Sequence, residues 1–383
     1  MDKQSLALAA RIIARSSRRD PADAVLRSEL KAQKGLHHAR ARQITDAVFA
    51  YFRWFGWLDA KIAIEDQIAK AIDLARQFAT LERGQPCPRE LSDTEMGART
   101  VSQWVTQELT ITTEWAHALQ TPPTVWLRAR PGSGPDLAKK LGDCVPFGED
   151  ALADVLDYRG EKDLFRTKEF HAGEFELQDL SSQAVSLICA PKPGETWWDA
   201  CAGEGGKMLH LCSLMGNKGL VWATDRAEWR LKKLKRRAAR ARTFNYRARE
   251  WNGGPILPFK TKFDGVLVDA PCSGIGTWQR NPHARWTTSL QDIHELSQTQ
   301  FHLLQRAADA IKPKGKLVYA VCTLSQSETT EVAEKFEQNN PGFKRLPFSD
   351  PLSAQASPIA QLFLRTENCG GNGMFIAAWQ RQG

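Results

Sequence analysis

The chain has 383 residues, a formal net charge of +8, 42% hydrophobic residues and 25% charged residues. A length of that order suits roughly two to three domains, and the composition excludes a fully disordered chain, a collagen-like repeat and a disulfide miniprotein. No run approaches the roughly 18 uncharged apolar residues of a transmembrane helix, and the excess of Lys and Arg suggests a polyanionic partner.

Eight cysteines (Cys87, Cys144, Cys189, Cys201, Cys212, Cys272, Cys322 and Cys369) are spread along the chain, and no C-x-x-C pair occurs. Neither a zinc ribbon nor a thioredoxin-type redox pair is expected, and no metal site is read from the sequence. Sparse cysteines point to free thiols in a reducing, cytoplasmic compartment. The first residues, MDKQSLALAARIIARSSRR, lack the apolar core and cleavage site of a secretory signal. They read as an amphipathic helix with Leu6, Ala9, Ile12 and Ile13 on one face, in preference to a mitochondrial presequence.

Residues 1–120 read as a basic helical domain. Ile44, Val48, Tyr51 and Phe52 recur at helical spacing, as do Leu58, Ile62 and Ile64 with more irregularity. RGQPCPRELSD (83–93) has loop chemistry, and Thr-Pro-Pro at 121–123 ends the helical run. Residues 121–175 read as a small mixed α/β segment, with a strand in TVWLRAR (124–130) and a helix in DLAKKLG (136–142). From about 176 to 383, apolar strands alternate with helical segments: TWWDAC (196–201), LVWATD (220–225), GVLVDA (265–270) and KLVYAVC (316–322). This βαβ pattern predicts a parallel, doubly wound sheet, which binds ligands at the carboxyl ends of its strands.

Three strand ends carry chemistry. DACAGEGGK, Asp199 to Lys207, runs from a strand through a glycine-rich turn into a helix, so backbone amides at Gly203, Gly205 and Gly206 can approach a ligand. Asp225 ends the next strand, where an acid suits ribose hydroxyls. The spacing is neither G-x-G-x-x-G nor a Walker loop, which favours S-adenosylmethionine over a dinucleotide or ATP. DAPCSGIG, Asp269 to Gly276, places a carboxylate and a thiol at a second strand end. VYAVCTLSQSE places Cys322 at a third. Methylation of cytosine at C5 needs a thiolate to attack C6, a carboxyl group against the base edge and help in releasing the adduct. Two cysteines and an aspartate at strand tips are the residue types for that task. A loop that methylates an exocyclic amine would read Asn/Asp-Pro-Pro-aromatic and would need no thiol.

The half from about 176 resembles the RsmB/Sun-type family of S-adenosylmethionine-dependent RNA cytosine-5 methyltransferases. The blocks that carry the resemblance are DACAGEGGK, DAPCSGIG followed by NPHARW, and VYAVCTL followed by Glu328, with CGGNGMFIAAW similar to the closing strand. Residues 1–120 more loosely resemble the helical NusB-like domain of such enzymes. The resemblance implies a Rossmann-like class I methyltransferase domain in which Cys322 is the nucleophile, Cys272 assists product release and Asp269 holds the base edge. It implies that Cys201, Ala202, Gly203, Glu204, Gly205, Gly206, Lys207, Asp225 and Asp269 hold S-adenosylmethionine, with Glu250 toward the adenine. The substrate it implies is a cytidine in structured RNA, ribosomal RNA ahead of tRNA. A catalytically silent assembly factor is the alternative of a different class. The chain departs from the family pattern at Glu204 (usually Pro), Met208 (usually Thr), Val321 (usually Thr) and Thr329 (usually Asn).

Residues 226–249 hold eleven Lys and Arg against one Glu, a net of +10. Lys232, Lys233, Arg236 and Arg237 are candidate phosphate contacts, weighed evenly against a merely solvated helix face, with Trp229 packing beneath the run. Arg280 and Arg285, with His283 and Trp286, follow the Cys272 loop and are candidates to grip the nucleotides flanking an extruded base. His37 and His38 read as surface residues, and Gln178 and Asp179 as a structural bridge.

Overall fold

A computed structural model describes residues 1–33, 35–81, 89–353 and 357–383. They form two compact units: residues 1–123 with 274–292, and residues 124–273 with 293–383. The expected boundary at 120/121 thus falls three residues later, and the one at 175/176 falls inside the strand Phe175–Leu177 and separates no units. The stretch after the Cys272 loop, read from sequence as part of the catalytic domain, belongs to the helical unit.

The helical unit is built on α1 (Lys3–Arg15), α2 (Ala22–Ala32), α3 (His38–Arg53) and α4 (Ile64–Leu81). Asp2 caps α1 by accepting from the Ser5 amide at 2.9 Å. Ala9, Ile12 and Ile13 share one core with Ile44, Val48, Tyr51 and Phe52 of α3, as the helical spacing requires. Leu58 and Ile62 lie outside a helix, and Ile62 is 40% exposed. The helix starts at Ile64, where Glu65 and Asp66 complement the positive end of its dipole. Of the expected loop at 83–93, residues 83–88 with Cys87 lie outside the described residues. Residues 89–91 form a 3-10 turn, followed by a helix at Asp93–Arg99.

The returning segment 274–292 anchors itself in this unit through Arg285, which is 0% exposed. Its guanidinium donates to the carbonyls of Leu119 (2.8 Å), Thr100 (3.1 Å), Arg53 (3.4 Å) and Trp278 (3.4 Å). A planar fork with five donors can serve several carbonyls at once, which a lysine cannot. Trp286 donates to the Phe52 carbonyl at 2.6 Å, and His283 packs edge-on against the Phe52 ring.

The second unit holds two sheets. β1 (Val125–Ala129), β2 (Cys144–Pro146), β3 (Val155–Tyr158) and β4 (Phe175–Leu177) form an antiparallel sheet in the order β2-β3-β1-β4. β5 (Thr196–Asp199), β6 (Leu220–Asp225), β7 (Tyr246–Glu250), β8 (Phe263–Asp269), β9 (Ile311–Val321), β10 (Phe343–Arg345), β11 (Gln361–Leu364) and β12 (Met374–Arg381) form the larger sheet. Its order is β10-β12-β9-β8-β5-β6-β7, with β11 also on β12. β5 to β9 are parallel, and β12 closes the sheet antiparallel to β9. The small sheet is no separate body because its side chains are tied to the larger one. Trp126 donates to the Gly370 carbonyl at 2.8 Å, and buried Glu176 accepts from Arg237 at 2.8 Å.

Parallel strands are covered on both faces, so successive side chains must all be apolar. Trp197 packs into one layer and Trp198 into the other; Val318 and Ala320 face the first layer, and Leu317 and Tyr319 the second. Gly265 lies under the Trp197 indole, where a Cβ would sit 2.3 Å from the ring. The chain therefore folds as a Rossmann-like, doubly wound α/β domain with a helical unit before it. β7 (YRARE) escapes sequence reading because it is a half-exposed edge, where cations replace the apolar run. No described helix is long and apolar enough to cross a membrane.

Arg285→Met is expected to destabilise the helical unit by about 2 kcal/mol or more, since each buried carbonyl left unsatisfied costs about 1–3 kcal/mol. Urea denaturation checks this. A midpoint equal to wild type would mean that the carbonyls find other donors.

Candidate active site

In the strand order, β5 leads to β6 on one side while β8 lies on the other, so the crevice between the carboxyl ends of β5 and β8 is the switch point of the sheet. The sequence-predicted residues collect along this edge. β5 ends at Asp199, and the turn that follows is pinned to both neighbours: the Ala200 amide donates to the Leu267 carbonyl at 2.9 Å, and the Ala202 amide to the Thr224 carbonyl at 2.8 Å. The Gly203 amide donates to Asp225 Oδ2 at 3.0 Å, and the Ala227 amide to Asp225 Oδ1 at 2.8 Å. Gly205 has φ +87°, and a Cβ there would meet Leu234 Cγ at 2.7 Å. The turn thus closes tightly onto the helix Glu228–Arg240. Glu250 stands opposite Asp225 in the β6–β7 register, exposed at the sheet edge.

Asp199 is fully buried, and neither carboxylate oxygen has a hydrogen-bond partner. Burial first, and the Asp269 carboxylate second, push its carboxyl up to about 8. Lys207 reaches across the switch point, and its Nζ donates to Asp269 Oδ2 at 2.7 Å. Burial works against the Lys207 ammonium, but Asp269 more than compensates and its pKa rises above the ordinary value. Burial likewise drives the Cys201 thiol well above its usual range.

The two cysteines named from the strand tips converge. Cys272 follows β8 by three residues, Cys322 directly follows β9, and their Sγ atoms are 3.3 Å apart. Behind them lies a carboxylate that the sequence marked only as part of a block. Glu328 is 0% exposed. Its Oε1 accepts from the Ser273 amide at 2.8 Å and from Gln300 Nε2 at 2.9 Å. Its Oε2 accepts from Thr323 Oγ1 and Ser325 Oγ, both at 3.1 Å, and from the Ser273 hydroxyl. Gln300 also donates to the Pro271 carbonyl at 2.9 Å, while Tyr319 donates to Gln300 Oε1 at 3.0 Å and to the Glu328 carbonyl at 2.6 Å. Burial raises the Glu328 carboxyl, and the donated hydrogen bonds only partly offset it. Asp199, Ser273 and Gln300 were not singled out from sequence. Asp199 had a usable signal, an acid closing an apolar strand, whereas a hydroxyl and an amide in ordinary contexts had none.

The departures from the family pattern have local reasons. Glu204 Oε1 accepts from Lys233 at 2.7 Å, and the Glu204 carbonyl accepts from Arg237 at 3.2 Å, so this position leans on the basic helix. Met208 and Val321 are fully buried core residues.

The proposed nucleic-acid contacts divide. Lys232, Lys233 and Arg236 are exposed on one helix, the first two paired with Glu228 and Glu204. Arg237 is turned inward, donating from Nε and Nη2 to Glu176 at 3.0 and 2.8 Å. Trp229 does not pack beneath the run: it is 54% exposed, with Lys233 Nζ 4.8 Å from its ring centroid. Arg280 is half-buried in the helical unit. Arg285 is corrected outright. Its burial and four carbonyl acceptors make it a core cation, not a surface contact, and His283 is buried beside it. Gln178 and Asp179 are structural: Asp179 Oδ1 accepts from Ser181 and Asn372 amides, both at 3.0 Å, and Gln178 accepts from buried Arg128.

Asp199 is protonated in the fold up to about pH 8 and ionised in the unfolded chain above its ordinary value of 3.8. Its contribution to stability is therefore complete below that lower value and lost as pH rises to about 8. Asp199→Asn is expected to flatten the fall in urea midpoint across this window. An unchanged slope would mean that the carboxyl is already ionised in the fold.

Residues 186–380, about half of the chain, match the family described as 16S rRNA methyltransferase RsmB/F. A probable ribosomal RNA small subunit methyltransferase B from Synechocystis sp. is 38% identical over 183 residues, covering 47% of this chain and 41% of that protein. The Mus musculus tRNA (cytosine(72)-C(5))-methyltransferase NSUN6 is 35% identical over 170 residues, covering 40% of this chain and 35% of that protein. The matched stretches span less than half of either relative. The crystal structure of PH0851 superposes with a TM-score of 0.80 at 20% identity, covering 100% of this chain and 99% of that one, and shares the fold. The family match takes in the glycine turn, Asp225, Asp269 and both strand-tip cysteines, and on that ground the chain belongs to the RsmB/F methyltransferase family.

Proposed function

We infer that the chain methylates C5 of a cytidine in structured RNA, with S-adenosylmethionine as donor and a covalent link between Cys322 and cytosine C6. The observation that carries this reading is the 3.3 Å approach of Cys272 and Cys322 Sγ beside the Lys207–Asp269 pair. The residues present fit the donor. The buried Asp199 carboxylate has no partner of its own, Gly203 has open space where a side chain would stand, and Asp225 and Glu250 end adjacent strands. These residues, with the 201–207 turn, would hold it. S-adenosylmethionine, when bound, supplies an electrophilic methyl group.

The chain's own residues do the rest. The Cys322 thiolate forms a bond to C6, and the displaced electron pair makes C5 nucleophilic. Asp269, held through Oδ2 by Lys207, can accept from the cytosine N4 amine with Oδ1; uracil would present a carbonyl oxygen there and be repelled. After C5 is methylated, its proton passes to solvent water, the C5–H electron pair re-forms the C5–C6 double bond, and the C6–sulfur bond breaks, returning its electron pair to the Cys322 sulfur. Cys272, next to that sulfur, assists this release. The target base is unpaired or extruded, because a stacked base cannot reach a strand-end pocket. The names of the bacterial relatives favour small-subunit ribosomal RNA. The likeness to the tRNA enzyme NSUN6 supports tRNA as the second reading.

Cys322→Ala is expected to abolish methyl transfer to ribosomal RNA from cells lacking the protein, with donor binding retained. Cys272→Ala is expected to accumulate a protein–RNA adduct that survives denaturing gels. Bisulfite sequencing and gel shift read the two, and turnover by Cys322→Ala would remove that residue as nucleophile. Neutralising Lys232, Lys233 and Arg236 together is expected to flatten the salt dependence of RNA binding, by about 0.7–0.9 in logarithmic slope per lost phosphate contact. Arg237→Gln should instead lower stability, since it leaves Glu176 buried with fewer donors. A slope unmoved by the triple variant would make this helix face merely solvated.

A further inference from the structure

We propose that Glu328 is the positioning residue that sets the gap between the Cys272 and Cys322 thiols, and through it the efficiency with which the covalent adduct is resolved. The two cysteines lie on loops from different strands, 50 residues apart in sequence. Nothing in the backbone ladder fixes the loops beyond their strands: the last β8–β9 pair is Asp269 with Ala320, followed by an Ala270 amide bond to the Ala320 carbonyl. Past that point, one buried carboxylate grips the residue after each cysteine. Oε1 and Oε2 both accept from Ser273, through its amide and hydroxyl, and Oε2 accepts from Thr323. The Ser273 and Thr323 hydroxyls also meet each other at 2.9 Å. Gln300 braces the first loop a second time at the Pro271 carbonyl and is itself held by Glu328 and Tyr319.

A carboxylate suits this position because both of its oxygens only accept, and the loop offers an amide, an amide NH2 and three hydroxyls. Glutamine can substitute in part. Its carbonyl oxygen can take the Oε1 bonds from Ser273 and Gln300, while two of the three hydroxyls can turn to accept from its NH2. Alanine removes every link that runs through the carboxylate and leaves the Ser273–Thr323 hydroxyl contact. Glu328 grips the residue after each cysteine, so its role is exerted through Ser273 and Thr323.

This inference deepens the methyltransferase reading and depends on it for catalytic meaning. Its first test needs neither RNA nor donor, so the two can fail separately. The full-length protein is equilibrated with oxidised and reduced glutathione. One thiolate attacks oxidised glutathione and releases a reduced molecule, and the second thiolate displaces the other, leaving a Cys272–Cys322 disulfide. Mass spectrometry of the bridged peptide gives the effective concentration of the pair. Glu328→Ala is expected to lower it about tenfold or more, and Glu328→Gln to restore it to within about threefold of wild type. Thr323→Val, which removes only the shared hydroxyl, is expected to lower it about threefold and decides the matter should Glu328→Ala not fold. In steady-state turnover on ribosomal RNA, Glu328→Ala should accumulate adduct, with kcat and KM falling together because resolution follows the covalent step. A folded Glu328→Ala, or a Thr323→Val, with the wild-type effective concentration overturns the proposal.

Discussion

β5, β8 and β9 run parallel and in register, so Asp199, Asp269 and Val321 end along one edge of the sheet. Everything reactive in this protein descends from that alignment. A one-residue slip in any of the three strands would exchange their faces, burying a tip residue in the wrong layer and taking an indole or tyrosine out of its own. The two Trp-rich layers oppose such a slip. Trp197 fills the space left by Gly265, while Trp198 donates from Nε1 to Thr224 Oγ1 at 2.9 Å, and Thr224 in turn donates to the Ala200 carbonyl at 2.8 Å. The packing that gives the sheet its register is thus wired to the first residue of the glycine turn.

The edge so created concentrates opposed electrical demands. The Asp269 carboxylate adds to the burial that holds Asp199 protonated, and Lys207 donates to Asp269. Asp199, unpartnered and held protonated up to about pH 8, leads into the turn that suits a sulfonium donor without adding a charge to it. Along the same edge, Glu328 is the contrasting case, a buried carboxylate whose oxygens are fully engaged.

Much of this was legible in the sequence. β5, β6, β8 and β9 stand out because strands buried on both faces must be nearly all apolar, so a terminal Asp or Cys breaks the run visibly. The converging sulfurs follow from two such runs in one parallel sheet. What was not legible depends on contacts between distant residues of unremarkable type. Ser273 and Gln300 mean nothing singly, because serine and glutamine most often face water, and Glu328 stood out only as part of a block, without a role. Arg285 misled for the same reason: a cation after a catalytic loop reads as exposed until its carbonyl partners, supplied from residues 53, 100 and 119, are known. β7 was hidden by its charged edge, and Trp229, drawn inward by its chemistry on paper, lies outside because the basic helix buries Leu231 and Leu234 instead.

The discontinuity of the helical unit bears on how the chain is born. Its first 123 residues leave the ribosome long before residue 292, and the interval contains a large part of the sheet unit. At roughly 5–20 residues per second, the early helices wait on the order of ten to thirty seconds for the segment that carries Arg285. Until then, the carbonyls that this guanidinium satisfies must be hydrated, and the nascent front of the chain can be at most a loosened version of its finished self. Vectorial synthesis thus makes the last stitch of the first unit one of the later events in maturation.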